Sequence, residues 1–103
     1  MIALQIARLI SRAVLFADLT TDDQVDPDLA VELMEVIGGD MQDLDRPFLR
    51  ELVDAFAVIA EEYKDEAREI VRNIPYSFYL EEALAADDPV RLAELEALRD
   101  ARD

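Results

Sequence analysis

Asp22, Gln24 and Asp26 alternate at the start of DDQVDPDLAVEL, the spacing with which the oxygen ligands of a calcium loop begin. The rest of the stretch departs from that chemistry. Counting from Asp22, the sixth position needs Gly for its sharp turn and is Pro27, while the twelfth needs a bidentate Glu and is Leu33. Asp26 followed by Pro27 reads instead as a helix start, since Asp accepts from free backbone amides and Pro occupies the first turn without losing a bond. No metal is expected. The chain has no His and no Cys, which removes the proton shuttle that titrates near neutral pH, the Ser-His-Asp and Cys-His arrangements, and the common zinc sites. Ser11 and Ser77 are the only serines and neither stands in a motif with a base, and Gly38-Gly39 holds the only glycines, so no phosphate-binding loop can form. The expectation is a protein without catalytic activity or cofactor.

What remains is charge. Between Ala13 and Asp45 there are ten acids and no Lys or Arg, within a chain of 103 residues whose formal net charge is -15. A coding bias explains why Lys64 is the single Lys among ten cations, and salt adaptation would add acids, but either cause would spread them; none precedes Asp18. Asp28, Glu32 and Glu35 step by four and three along a predicted second helix, and Asp40 and Asp43 extend the acidic run past Gly39. A solvated face would leave this mark. So would a docking surface for a basic protein, because no cation within the segment offsets the repulsion. The second feature is NIPYSFYL, where Tyr76, Phe78 and Tyr79 crowd one turn; most of them are expected to plug the end of a bundle, with Tyr76 or Tyr79 available as a surface anchor. Nucleic acid and anionic membranes are not expected as partners of so acidic a chain.

The elements that would position these residues are helical. Ile2, Ile6, Leu9, Ala13 and Phe16 follow at steps of four and three opposite Gln5, Arg8 and Arg12, which predicts an amphipathic first helix with that stripe buried. Arg8 and Arg12 interrupt the run short of the roughly 20 apolar residues that span a membrane, so a cytoplasmic location is expected. In the second helix Leu29, Leu33, Val36 and Ile37 form one side and Met41 and Leu44 stay in phase, which favours a continuous helix through Gly38-Gly39, weakened by about 1 kcal/mol per Gly. Asp45 reads as the next cap, and the apolar step from Phe48 to Ile74 spans two helices with a break near Tyr63 to Asp65. Pro75 ends the fourth, a short helix covers Tyr76 to Ala86, and Asp88-Pro89 starts a last one with Leu92, Leu95 and Leu98 as its stripe. The class is all-α: one helical domain over residues 1–103, a compact bundle of five or six short helices.

Two segments, LDRPFLRELVDAFAVIAEEY from Leu44 and REIVRNIPYSFYL from Arg68, resemble small acidic helical proteins that act as immunity partners of bacterial polymorphic toxins. The shared features are Leu44 ahead of a helix, Ile59-Ala60 near its end, and a turn at Ile74-Pro75; where the pattern carries Gly shortly after that turn, this chain has Tyr79. The resemblance implies a bacterial inhibitor that binds a cognate toxin, often a basic nuclease, and occludes its active site. The alternative is a non-catalytic helical interaction or regulatory module, possibly self-associating through its apolar stripes.

Overall fold

The computed structural model describes residues 2–20 and 23–102, and among these there is no strand. Seven helices follow in order: α1 Ile2–Leu19, α2 Pro27–Gln42, α3 Arg46–Ala60, α4 Asp65–Arg72, α5 Ile74–Ser77, α6 Leu80–Leu84 and α7 Pro89–Arg102. The radius of gyration is 14.1 Å.

α3 is the axis of the fold, because its apolar positions recur on most of its circumference. Leu49, Leu52, Val53, Ala55, Phe56, Ile59 and Ala60 are all buried, so α3 can be packed from several sides at once, by α1, α4 and α6. The two Asp-Pro starts hold. Asp26 Oδ1 accepts from the Asp28 amide at 2.9 Å and Asp88 Oδ1 from the Arg91 amide at 3.1 Å. Asp45 differs: its side chain makes no cap bond, and only its carbonyl accepts, from the Leu49 amide at 2.8 Å.

The break between the third and fourth helices falls where it was expected. The chain turns at residues 61–64, and Asp65 takes the left-handed conformation with φ 54°. Size does not force the turn, since the long dimension of the molecule is 44 Å. Arg68 Nε donates to the Tyr63 carbonyl at 3.0 Å, and the reversal lets α4 return along α1 and α3. The next segment differs from expectation. Pro75 stands in the first turn of α5, and the short helix placed over Tyr76 to Ala86 is divided by Tyr79, whose φ of 57° is left-handed. Tyr79 thus holds the backbone conformation that Gly adopts without steric cost.

α1 reverses the expected facing. Its buried residues are Ala3, Ala7, Ser11 and Val14, whereas Ile2, Leu9 and Phe16 of the large apolar stripe are exposed at 68%, 60% and 60%. Small side chains let two helix axes approach closely, and that fit against α3 outweighs burial of the bulkier stripe. Ser11 Oγ is buried there with no hydrogen-bond partner among the described residues, an arrangement that costs about 1–3 kcal/mol.

α2 is continuous through Gly38-Gly39, and the two glycines do different things. A Cβ on Gly38 would lie 2.8 Å from Phe78 Cδ1, whereas a Cβ on Gly39 would have nothing within 4 Å. Gly38 is a seat for a ring; Gly39 is a helix residue of low propensity. Gly39→Ala is therefore expected to stabilise the fold by about 1 kcal/mol, a rise in Tm of roughly 4–8 °C. Gly38→Ala is expected to destabilise it by about 1–2 kcal/mol as Phe78 is displaced. Paired thermal melts check both, and a rise in Tm for both variants would contradict the seat.

Candidate protein-binding surface

α2 carries the acids. Its inward residues are Gly38 and Met41, both buried, with Met34 and Ile37 half-buried against the core. This face is held by the Phe78 ring over Gly38 and by Gln42 Nε2 donating to the Phe78 carbonyl at 2.8 Å. The unbranched methionines adapt to the irregular space beside the ring. At about 100° per residue, packing on Gly38 turns the helix so that the stripe expected in the core points outward. Leu29, Leu33 and Val36 are exposed at 60%, 44% and 55%. Of the expected stripe, Ile37, Met41 and Leu44 contribute to the core.

The facing of the acids changes accordingly. Asp28, Glu32, Glu35, Asp40 and Asp43 are all exposed, and none of them forms an ion pair among the described residues. They do not stand opposite Leu29 and Leu33. On the helical wheel Glu32 and Asp43 lie within about 60° of Leu29 and Val36, Asp40 falls inside the apolar stripe, and Asp28 and Glu35 continue the acidic band on its flank. An acidic band and an apolar band run side by side on one solvent-facing surface.

The rest of the chain shows what paired acids look like here. Arg50 Nη1 meets Glu81 at 2.8 Å and its Nη2 meets Asp54 at 2.8 Å; Arg72 bridges Glu61 and Glu69 at 3.0 and 2.9 Å; Arg8 meets Glu62 at 2.7 Å. Arg8 holds the Glu62 carboxyl below its ordinary range, first by hydrogen bonding and then by charge. Every carboxylate with an ion-pair partner among the described residues lies between Asp54 and Glu94. The asymmetry of the sequence is preserved in space.

Tyr76 and Tyr79 belong to a different arrangement from the one expected of surface anchors. The Arg99 guanidinium lies 3.9 Å from the Tyr76 ring centroid and 3.8 Å from that of Tyr79, and Arg102 stacks on Tyr76 at 3.8 Å. Arg99 also donates to the Tyr76 carbonyl at 2.9 Å and to Glu82 Oε2 at 3.0 and 3.1 Å. α7 has no buried residue, and Leu98 of its stripe is exposed. Tyr76 is half-buried and Tyr79 is exposed, and both rings also stack against arginines of α7 and help hold it to the body.

Between the end of α1, α2 and the turn at Phe78 runs a groove lined in part by Ala17, Val31, Met34 and Gly38, with the carboxylates of Asp18 and Glu35 at its edge. Ser77 also lines it. Burial, and then the nearby Glu66 charge, push the Asp18 carboxyl above its ordinary value of 3.8, so the folded state favours its protonated form. The resulting penalty on stability is present above the raised value and vanishes below 3.8. Asp18 also sits in the last turn of α1, where an anion opposes the helix dipole. Asp18→Asn is expected to stabilise the fold at pH 7 by about half a kcal/mol, with no difference between the proteins near pH 3. Melts at the two pH values check this; a gain that persists at pH 3 would assign the effect to something other than charge.

No group of three or more acidic side chains among the described residues is placed to hold a metal ion. Of the loop compared with a calcium site, Asp22 lies outside the described residues, and the Asp26 carboxylate is engaged by the Asp28 amide. No helix among the described residues is long and apolar enough to cross a membrane. Comparison with protein families, curated proteins and solved structures finds no match to the chain.

Proposed function

We propose that this protein is an immunity protein, which binds a cognate bacterial toxin and neutralises it by covering the toxin's active site with the exposed face of α2. The observation that carries the reading is the pairing of bands on that face: unpaired carboxylates of Asp28, Glu32, Glu35, Asp40 and Asp43 beside solvent-exposed Leu29, Leu33 and Val36. Protein interfaces combine an apolar centre with a polar rim, and charge on the rim steers the partner and fixes register. A partner that matches this face is basic and carries apolar side chains. A nuclease-type toxin domain fits, because the surface with which it holds phosphate is cationic and an acidic helix competes for the same sites. Under this reading the protein acts in the bacterial cytoplasm, has no turnover and uses no cofactor.

The anchors in this proposal are Leu29, Leu33 and Val36 in place of Tyr76 and Tyr79, whose rings are engaged by Arg99 and Arg102. The experiment that tests it mixes the purified protein with the basic toxin domain encoded beside it and measures toxin activity and complex formation. Stoichiometric inhibition is the expected result. Full toxin activity in the presence of excess protein would end the proposal.

A further inference from the structure

The groove between α1, α2 and the turn at Phe78 is apolar inside and acidic at its edge, and no Lys or Arg among the described residues lines it. Val31, Met34 and the Phe78 ring form its apolar part, and Val31 is exposed. Its two charged lining residues are both acids, Asp18 from α1 and Glu35 from α2, and neither is in an ion pair among the described residues. The neutral polar groups add to the same demand. Gln42 donates through Nε2 to the Phe78 carbonyl at 2.8 Å and Thr20 donates its hydroxyl to Gln24 Oε1 at 3.0 Å, which spends donors within the chain and leaves the Gln42 side-chain oxygen as an acceptor. The carboxylates alone would be a solvated rim. Set beside an apolar groove, they define a site for a cation carried on an apolar stem, with hydrogen-bond donors at its tip.

Among side chains that description fits arginine best, because its methylene stem covers apolar surface while its guanidinium brings several donors, stacks on aromatic rings and is weakly hydrated. A lysine ammonium is more strongly hydrated and loses more on leaving water. We propose that the groove is the socket for an arginine side chain of the basic partner, with the stem against Val31, Met34 and Phe78 and the guanidinium at the carboxylates of Asp18 and Glu35. The inference rests on the toxin reading and deepens it by naming one contact. Glu35 belongs both to the groove and to the acidic band of α2, so an arginine seated here projects from a protein already held on that band. Burial and the Glu66 charge disfavour the Asp18 carboxylate in the free protein, and an arriving guanidinium offsets both. Asp18 thus weakens the free fold and strengthens the complex.

The first arm of the test titrates the isotope-labelled protein with n-butylguanidinium, an arginine side chain without its backbone, at constant ionic strength and follows the amide resonances. The expected result is a saturable shift at Val31, Met34, Gly38 and Phe78, with Kd on the order of 1 mM. Guanidinium ion, which lacks the stem, and n-butanol, which lacks the charge, should each bind about tenfold more weakly or worse. Asp18→Asn with Glu35→Gln should weaken the probe by about the same factor in a protein that remains folded, whereas Asp28→Asn with Glu32→Gln, on the band outside the groove, should leave it unchanged. Shifts that spread over the acidic surface without saturating would overturn the inference, as would a saturable site that survives Asp18→Asn with Glu35→Gln. In the second arm the same two substitutions should speed dissociation of the toxin complex about tenfold while excess protein still inhibits. A complex that dissociates at its original rate sinks the arginine socket and leaves the toxin reading standing; the absence of any complex ends both.

Discussion

Replacing Asp28, Glu32 and Glu35 together with Lys is expected to slow association with the basic toxin domain by roughly one to three decades while leaving the protein folded. All three side chains are exposed and none is in an ion pair among the described residues, so no internal contact is lost. Complementary charge acts mainly on the rate of encounter, which makes the association rate the sensitive quantity. Raising salt from low to physiological strength should slow the unmodified pair steeply and the triple variant little, since the Debye length contracts to about 8 Å. Leu29→Ala with Leu33→Ala should act differently, by speeding dissociation, with a loss of about 2 kcal/mol if these side chains seat in toxin pockets. Stopped-flow kinetics at two salt concentrations separates the two effects. A triple Lys variant that associates at the original rate, with the original salt dependence, would make the acidic band a solvated face and nothing more.

Arg99→Ala is expected to release α7 without unfolding the rest. The side chain of Arg99 is 17% exposed and that of Glu82 is 21%. Its guanidinium makes the two-nitrogen contact with Glu82, the bond to the Tyr76 carbonyl and two ring contacts. A hydrogen bond to a charged group contributes about 1.5–3 kcal/mol and an exposed cation–ring contact about 0.5–1, and these losses are not additive. A net loss of about 2 kcal/mol corresponds to a thirtyfold rise in opening of the helix. Because α7 buries no residue, hydrogen exchange should accelerate over residues 89–102 and leave α3 protected. Arg99→Lys should recover little, since an ammonium supplies neither the planar fork nor the stacking. Unchanged exchange in α7 after Arg99→Ala would show that Leu92 and Leu95, rather than the clasp, hold the helix in place.

Much of the helix pattern was legible because its signals are local. Asp26-Pro27 and Asp88-Pro89 begin helices for reasons contained in two residues, an oxygen that accepts from a free amide and a ring that lacks one. The absence of strands among the described residues followed from periodicity along the chain, whereas the break before Asp65 did not, since the apolar step continues across it and only the length of a single rod suggested a turn there. Tyr79 marks the limit of such reading: its left-handed φ of 57° divides the short helix expected there, and only Gly would have announced that conformation in advance.

The facing of the helices was not local. On α1 and α2 the periodicity singles out the bulky stripes through Leu9 and Leu33, and the fold buries the small stripes through Ala7 and Gly38 instead. Burial of apolar area rewards either choice, but close packing rewards only the face whose shape fits its neighbour, and that neighbour is remote in sequence: the Phe78 ring for Gly38 and α3 for Ala7. The acids at Asp28, Glu32 and Glu35 and the absence of cations around them were thus determined by the sequence alone. That Leu29, Leu33 and Val36 stand in solvent beside them, and that Tyr76 and Tyr79 hold α7, was decided by tertiary packing, because a helix rotates to suit the surfaces it meets and carries both of its faces with it.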